Sequence, residues 1–323
     1  MKRLQYFRRI FAAYFTQKKS QLTFWHGKPL LNQYFVPGEL GPYYMPFYQK
    51  ADYSAHTDDR GIPILDYHGE VGLQYNPIAI AQYGLGNYNL HLKDGESSRF
   101  DNFISAAQWL VDNLEKNQSG LWVWSHHFDW EYRDTLKAPW YSALSQGQGI
   151  SLLLRAHKET QHPEYREVAQ KAFQAFKAKV DEGGVVYEDN QGNLWLEEAI
   201  VDPPTHILNG FLWALWGIYD YQLHFSDQGA ERLFKECLKT LEINLPTYDI
   251  GFWSLYEHSG TRLKMIASPF YHSLHIVQLR VMYRLTTLDI FRDYADKWEN
   301  YSKRIFNRYL ALLYKIAFKL LYY

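Results

Sequence analysis

The stretch "LWLEEAIVDPPTHILNGFLWALWGIYDY", residues 194–221, begins as the returning arm of a hairpin and ends as a helix. Its first residues close "VVYEDNQGNLWLEE", which reads as a hairpin turning at Asn190 to Asn193. After Pro203-Pro204 the apolar residues Phe211, Leu215 and Tyr219 recur every four positions, the spacing of one helix face. The same rhythm extends through the chain from about residue 100. Phe103, Ala107, Leu110 and Leu114 mark one stripe, and Val168, Ala172, Phe173 and Phe176 another; Leu233, Cys237, Leu238 and Leu241 make a third, and Leu274, Val277, Val281 and Leu285 a fourth. Stops fall at Gly120, at Gly183-Gly184 and at Gly229 beside a Ser226-Asp227 start signal. Helices in antiparallel pairs, with their loops gathered at one rim, predict a mainly α fold, an α/α barrel or toroid. There is no low-complexity segment and no exact internal repeat beyond this helix-pair rhythm.

Residues 1–20 look helical, and residues 22–90 carry hairpin and loop signals, as in "LLNQYFVPGELGPYYMPFY" and "GIPILDYHGEVGLQYNP". The expected division is therefore an N-terminal helix and β-hairpin region over 1–95 and an α/α-barrel catalytic domain over 96–323. The uninterrupted apolar run near the start, Ile10 to Phe15, is too short for a signal-peptide core or a membrane span, so the expected location is the cytoplasm. At the other end "YLALLYKIAFKLLYY" places Lys315 and Lys319 on one helical face, a pattern that suits a packed final helix or one lying on a membrane surface.

The chain has 323 residues, enough for one large domain or a domain with an accessory element, and a net charge of −1. No basic surplus argues for nucleic acid. The lone Cys237 excludes an internal disulfide framework and a multi-cysteine zinc site, and fits a reducing compartment. With 27 Tyr and 11 Trp, aromatic residues reach 18%. Such rings line sugar clefts, where a pyranose face stacks on them, and they fill cores equally well.

Four blocks concentrate the polar chemistry: residues 74–89, "PWYSALSQGQGIS" (139–151), the opening stretch, and "SLYEHSGTRLKMIASPFYHSLHIVQL" (254–279). In this order they resemble the D-glucuronyl C5-epimerases, enzymes that invert C5 of glucuronate to iduronate in heparosan and heparan-type polysaccharides. The likeness runs from about residue 40 to about 300 and rests on "WYSALSQGQGIS", on the pair Glu197-Glu198 with "ILNGF" downstream, and on "YHSLHIVQL". It implies proton abstraction from the carbon beside a carboxylate and reprotonation from the opposite face. A phenol lowered by a cationic neighbour can act as base while a second, still protonated, acts as acid. Tyr256 and Tyr271 align with the family's catalytic tyrosines and Glu198 with its active-site glutamate, placed to orient a tyrosine or a ring hydroxyl. No organic cofactor is implied.

His206 and Asn209 lie just where a helix begins, and their alternatives are binding the sugar carboxylate or capping that helix. Glu197 is a solvated or structural carboxylate. Cleft candidates by resemblance are Trp140, Tyr141, Gln146 and Gln148, with Tyr75, Asn76, Gln82 and Tyr83 on the N-terminal hairpins. His272 joins them, and with His275 it shares a helical face, but two histidines without a third ligand do not make a metal site. Two departures stand out. Ala199 replaces a third active-site tyrosine, and Ser259 replaces an arginine for which Arg262 could substitute from a shifted loop; the β-sandwich of vertebrate members is also absent. The expected partner is a uronate-containing polysaccharide, not nucleic acid, with a homodimer and a peripheral membrane contact through the termini left open. A polysaccharide lyase that begins with the same abstraction, and an inactive glycan-binding homologue, remain the alternatives to the epimerase.

Overall fold

The computed structural model describes residues 27–132 and 135–322, so the helix expected over residues 1–20 lies outside the described residues. Eight helices form the ring: α2 (Pro77–Asp94), α3 (Ser97–Asp112), α4 (Ala143–Thr160), α5 (Pro163–Phe173), α6 (Leu208–Phe225), α7 (Gln228–Asn244), α8 (Pro269–Thr286) and α9 (Asp289–Lys303). A single turn, α1 (Tyr48–Ala51), precedes them and α10 (Ile305–Tyr322) follows. Each even-numbered helix of the ring packs on the helix after it, and α2, α4, α6 and α8 also pack on one another in sequence. They are the inner layer of an α/α toroid, and α3, α5, α7 and α9 the outer one.

Inner helices α2, α4 and α6 are buried almost all round, whereas α7 and α9 bury one stripe. The inner helices run parallel. Gln82 of α2 meets Gln148 of α4 at 3.0 Å, each six residues into its helix. Arg155 and Asp220 pair at 2.6 Å from matching positions of α4 and α6. Helices α4 and α6 approach closely because both carry glycine at the crossing: a Cβ on Gly217 would lie 2.3 Å from the Gly147 Cα.

The lower end is closed by residues 31–47. Asn89 of α2 holds the backbone of this segment at Tyr43 and Met45, and Arg284 of α8 donates to the carbonyls of Asn32 and Phe35. Its Tyr44 donates to Asp220 at 2.6 Å, completing a wholly buried Tyr44–Asp220–Arg155 set. One hydrophobic core runs from Phe35 to Leu312, so the segment expected as a separate hairpin region is part of the barrel.

Helix α2 is a correction to the sequence reading. The hairpin β1 (Leu65–Asp66) with β2 (Leu73–Gln74) exists, but residues 77–94, read as hairpins, are helical. Asn76 caps α2 by accepting from the amides of Ile78 and Ala79, and Pro77 occupies its first turn. Buried on every side, α2 carries no amphipathic stripe to betray it.

Each inner helix is entered from a hairpin or bridged loop. β3 (Glu115–Lys116) pairs with β4 (Trp122–Val123), β5 (Trp130–Glu131) with β6 (Thr135–Leu136), and β7 (Val186–Glu188) with β8 (Leu194–Leu196), all antiparallel. Ahead of α8 the bridges Asp249↔Ser254 and Leu255↔Ile266 do the same work. The N-termini of four parallel helices and these connections therefore share one rim. Positive dipole ends gather there. No helix among the described residues is long and apolar enough to cross a membrane.

Candidate active site

The bridge Leu255↔Ile266 folds the chain back on itself, and the amide of Tyr256 donates to the Met265 carbonyl. Three residues later Ser268 caps α8 by accepting from the amide of Tyr271. These two local events bring Tyr256 and Tyr271 together across fifteen positions of sequence. Their rings meet edge to face, with centroids 4.8 Å apart.

Glu198 follows β8 and stands close enough to both phenols to raise them by its charge. It is held from two sides. Asn209 donates to its Oε2 at 3.2 Å, and Gly210 leaves room that a Cβ would take, 2.2 Å from that same oxygen. Both belong to the first turn of α6, whose start is pinned when the Leu208 amide donates to the Tyr256 carbonyl. The N-cap of α6 is Ile207, which offers no side-chain acceptor, while α2, α4 and α8 are capped by Asn76, Ser142 and Ser268. Capping is therefore not the work of His206 or Asn209, and the first-turn amides of α6 are left free of a side-chain cap beside Glu198.

The electrostatics differ from the sequence expectation of a phenol lowered by a cation. Burial raises Tyr256 well above 10, with Glu198 and Tyr271 adding to it; Tyr271 is raised by the same loss of water and by Glu198. Loss of water also lifts the Glu198 carboxyl to about 8, against the lowering hydrogen bond from Asn209 and with Glu197 pushing it further up. Glu198 is thus the group of this cluster whose ionisation falls near neutral pH, and both phenols are protonated there.

His206 sits at the edge of this cluster. Its ring lies on Trp195 at 4.1 Å, its Nδ1 bonds the Glu197 carboxylate, and Tyr248 donates to its carbonyl. Glu197 is 1% exposed, so it is structural and not solvated. The opposite wall is apolar. Trp140, Tyr132 and Tyr256 pack on Leu136, Ala199 and Ile207, and the Trp140 ring lies flat on His126 at 3.8 Å.

Tyr256, Tyr271, Glu198, Asn209, His206 and Trp140 are thus brought together, and other candidates are not. His272 is fully buried, stacked on Trp253, with Ser254 donating to its Nδ1 and its Nε2 bonding the Trp298 carbonyl; it is a core residue. Gln146 spends its amide on the backbone of Trp122, Trp124 and Ala172, tying β4 to α4 and α5. Tyr141 donates to the Gly183 carbonyl, Asn76 is the α2 cap, and Tyr75 lies at the outer surface bonded to Asp58. Gln82, Tyr83 and Gln148 are buried within the ring, and Arg262 is exposed to solvent on the loop ahead of α8. Glu197, Tyr248, Tyr132 and Gly210 were not legible as site residues; only the adjacency of Glu197 to Glu198, and of Gly210 to Asn209, marked them.

Residues 116–300 match the family model described as "D-glucuronyl C5-epimerase C-terminus". The chain is 32% identical over 216 residues to the D-glucuronyl C5-epimerase of Caenorhabditis elegans, covering 62% of this chain and 35% of that protein. It therefore spans about a third of that relative's length. A protein of Methanocaldococcus jannaschii is 32% identical over 223 residues, covering 64% of this chain and 70% of the relative. Among solved structures, cellobiose 2-epimerase from Spirochaeta thermophila superposes with a TM-score of 0.52 at 13% identity, over 79% of this chain and 65% of that one, a likeness of fold. Since the family model covers more than half of the chain, and every residue of the tyrosine–glutamate cluster falls inside it, the protein belongs to the D-glucuronyl C5-epimerase family.

Proposed function

We propose that this protein inverts C5 of glucuronate residues in a heparosan-like polysaccharide, taking a proton from one face of the sugar and returning one to the other. The observation that carries this reading is the Tyr256–Tyr271 pair beside a Glu198 poised to ionise at about 8. Because the two rings are in contact, they act here as one unit on one face, with Glu198 as the base on the other. In the forward step the C5–H bond breaks, its proton passes to the Glu198 carboxylate, and the electron pair delocalises into the sugar carboxyl group. The Asn209 and Gly210 amides of the first turn of α6, which no side chain caps, receive that charge together with the helix dipole. A phenol held protonated by burial is a fit donor to the carbanion, so the tyrosine pair reprotonates C5 from the opposite face. Transfer of the Glu198 proton to the phenolate restores the site. In the reverse direction the roles exchange. Ala199, at the position of a third tyrosine, leaves Glu198 as the second proton carrier.

The test is incubation with heparosan in deuterated water, followed by proton NMR and near-ultraviolet absorbance. Loss of the glucuronate H5 signal with new iduronate signals and flat absorbance is expected. Rising absorbance would mean elimination, and so a lyase. Absence of any exchange would leave a glycan-binding protein.

A further inference from the structure

The last helix, α10, is turned the unusual way round. Its lysines face the protein: Lys315 donates to the Ile266 carbonyl at 2.9 Å, and Lys315 and Lys319 both approach Glu257, which is 2% exposed. Its inner side also buries Leu312 and Phe318, yet five large apolar side chains face outward. Ile305, Phe306, Leu313, Leu320 and Leu321 are between 59% and 72% exposed. At 100° per residue Ile305, Phe306, Leu313 and Leu320 fall within an arc of about 100°, a stripe that runs the full helix length of about 27 Å. From Arg304 to Tyr323 there is no acidic residue, while Arg304, Arg308, Lys315 and Lys319 are basic, in a chain whose net charge is −1. Arg304 and Arg308 are exposed and flank the apolar stripe.

A soluble surface helix would present polar side chains on that outer face. An apolar stripe flanked by arginines and free of acids is complementary to the headgroup–acyl boundary of an anionic bilayer, where apolar groups leave water and cations meet phosphate. We infer that the outer face of α10 docks the protein on anionic lipid surfaces, lying in the interface and not crossing it. The consequence bears on the site. Through Lys315, and through Tyr322, whose hydroxyl accepts from the Leu263 amide at 3.1 Å, α10 grips the loop that carries Tyr256. Docking would hold that loop beside the membrane. The inference stands whether or not the proposed epimerase activity does.

The experiment is sedimentation of the full chain with vesicles of phosphatidylcholine alone or mixed with phosphatidylglycerol, for the wild type and for Leu313→Glu/Leu320→Glu. Both positions are more than 60% exposed, so the double variant loses little packing, which its circular dichroism and melting temperature will check. Partitioning of the wild type is expected to rise by roughly tenfold or more with anionic lipid, to fall with salt, and to drop by about as much in the double variant. Binding that the double variant retains in full would overturn the assignment to α10. So would a wild type that binds neither vesicle, or one that self-associates in solution and becomes monomeric on substitution, since a second copy would then cover the face.

Discussion

Replacing Glu198 by Gln should abolish turnover and at the same time stabilise the protein, by an amount that grows with pH. The carboxyl moves from its ordinary value of 4.5 to about 8 in the folded state, chiefly because the site strips it of water. A raised carboxyl pKa means that the folded state binds the proton more tightly than the unfolded chain does. Its contribution is therefore most favourable below 4.5 and is lost progressively as pH rises through 8. At pH 7 the difference costs up to about 3 kcal/mol, and between pH 5 and pH 9 the cost grows by about 4 kcal/mol. Gln keeps an oxygen for the Asn209 donor and carries no such dependence. Urea unfolding of both proteins at pH 5, 6, 7, 8 and 9 reads this directly: the two stability curves should diverge upward in favour of the variant. Parallel curves across that range would refute the placement of an ionisable, desolvated Glu198 at the site. In the wild type the rate of glucuronate inversion should rise with a midpoint at about 8, where the base becomes ionised.

Tyr256→Phe and Tyr271→Phe should each lower inversion by about 10²- to 10⁴-fold, the usual worth of a proton carrier. They should leave exchange of the glucuronate H5 with deuterium while removing exchange of the iduronate H5, and NMR of both substrates in deuterated water separates the two. Asn209→Ala removes the hydrogen bond that lowers Glu198, so the midpoint of the pH–rate profile should move above that of the wild type. Arg155→Met leaves Asp220 charged and buried without its partner, and should cost about 3–5 kcal/mol in denaturant unfolding while the tyrosine cluster keeps its geometry. Glu197→Gln removes the carboxylate that the His206 Nδ1 bonds, so the His206 ring nitrogen and carbon resonances should move at constant pH, which side-chain NMR reads.

Much of the fold was legible where helices have a wet side. The stripes in α3, α5, α7 and α8 announced themselves, as did the β7–β8 turn, since half-buried elements must alternate apolar and polar residues with their own period. α2 was hidden for the same reason in reverse: a helix enclosed by α3, α4 and the 31–47 segment has no polar face to time against, and only its Asn76-Pro77 start signal remained. Of the candidate residues, Tyr256, Tyr271, Glu198, Asn209, His206 and Trp140 converge. His272, Gln146 and Asn76 do not, because their side chains satisfy buried backbone groups, and nothing in residue type distinguishes a polar group that serves a substrate from one that serves the chain.

By itself, then, the order of residues determined the helix-pair rhythm and the start of a helix after Pro203-Pro204, because each depends on neighbours within a few positions, and resemblance to the family marked the two tyrosines as a pair. Only the tertiary structure decided that Tyr256 and Tyr271 touch, that burial and Glu198 raise both phenols, and that the Glu198 carboxyl ionises at about 8. It also decided which way α10 faces. Contact, burial and the loss of water are sums over distant parts of the chain, and a pKa is set by that sum.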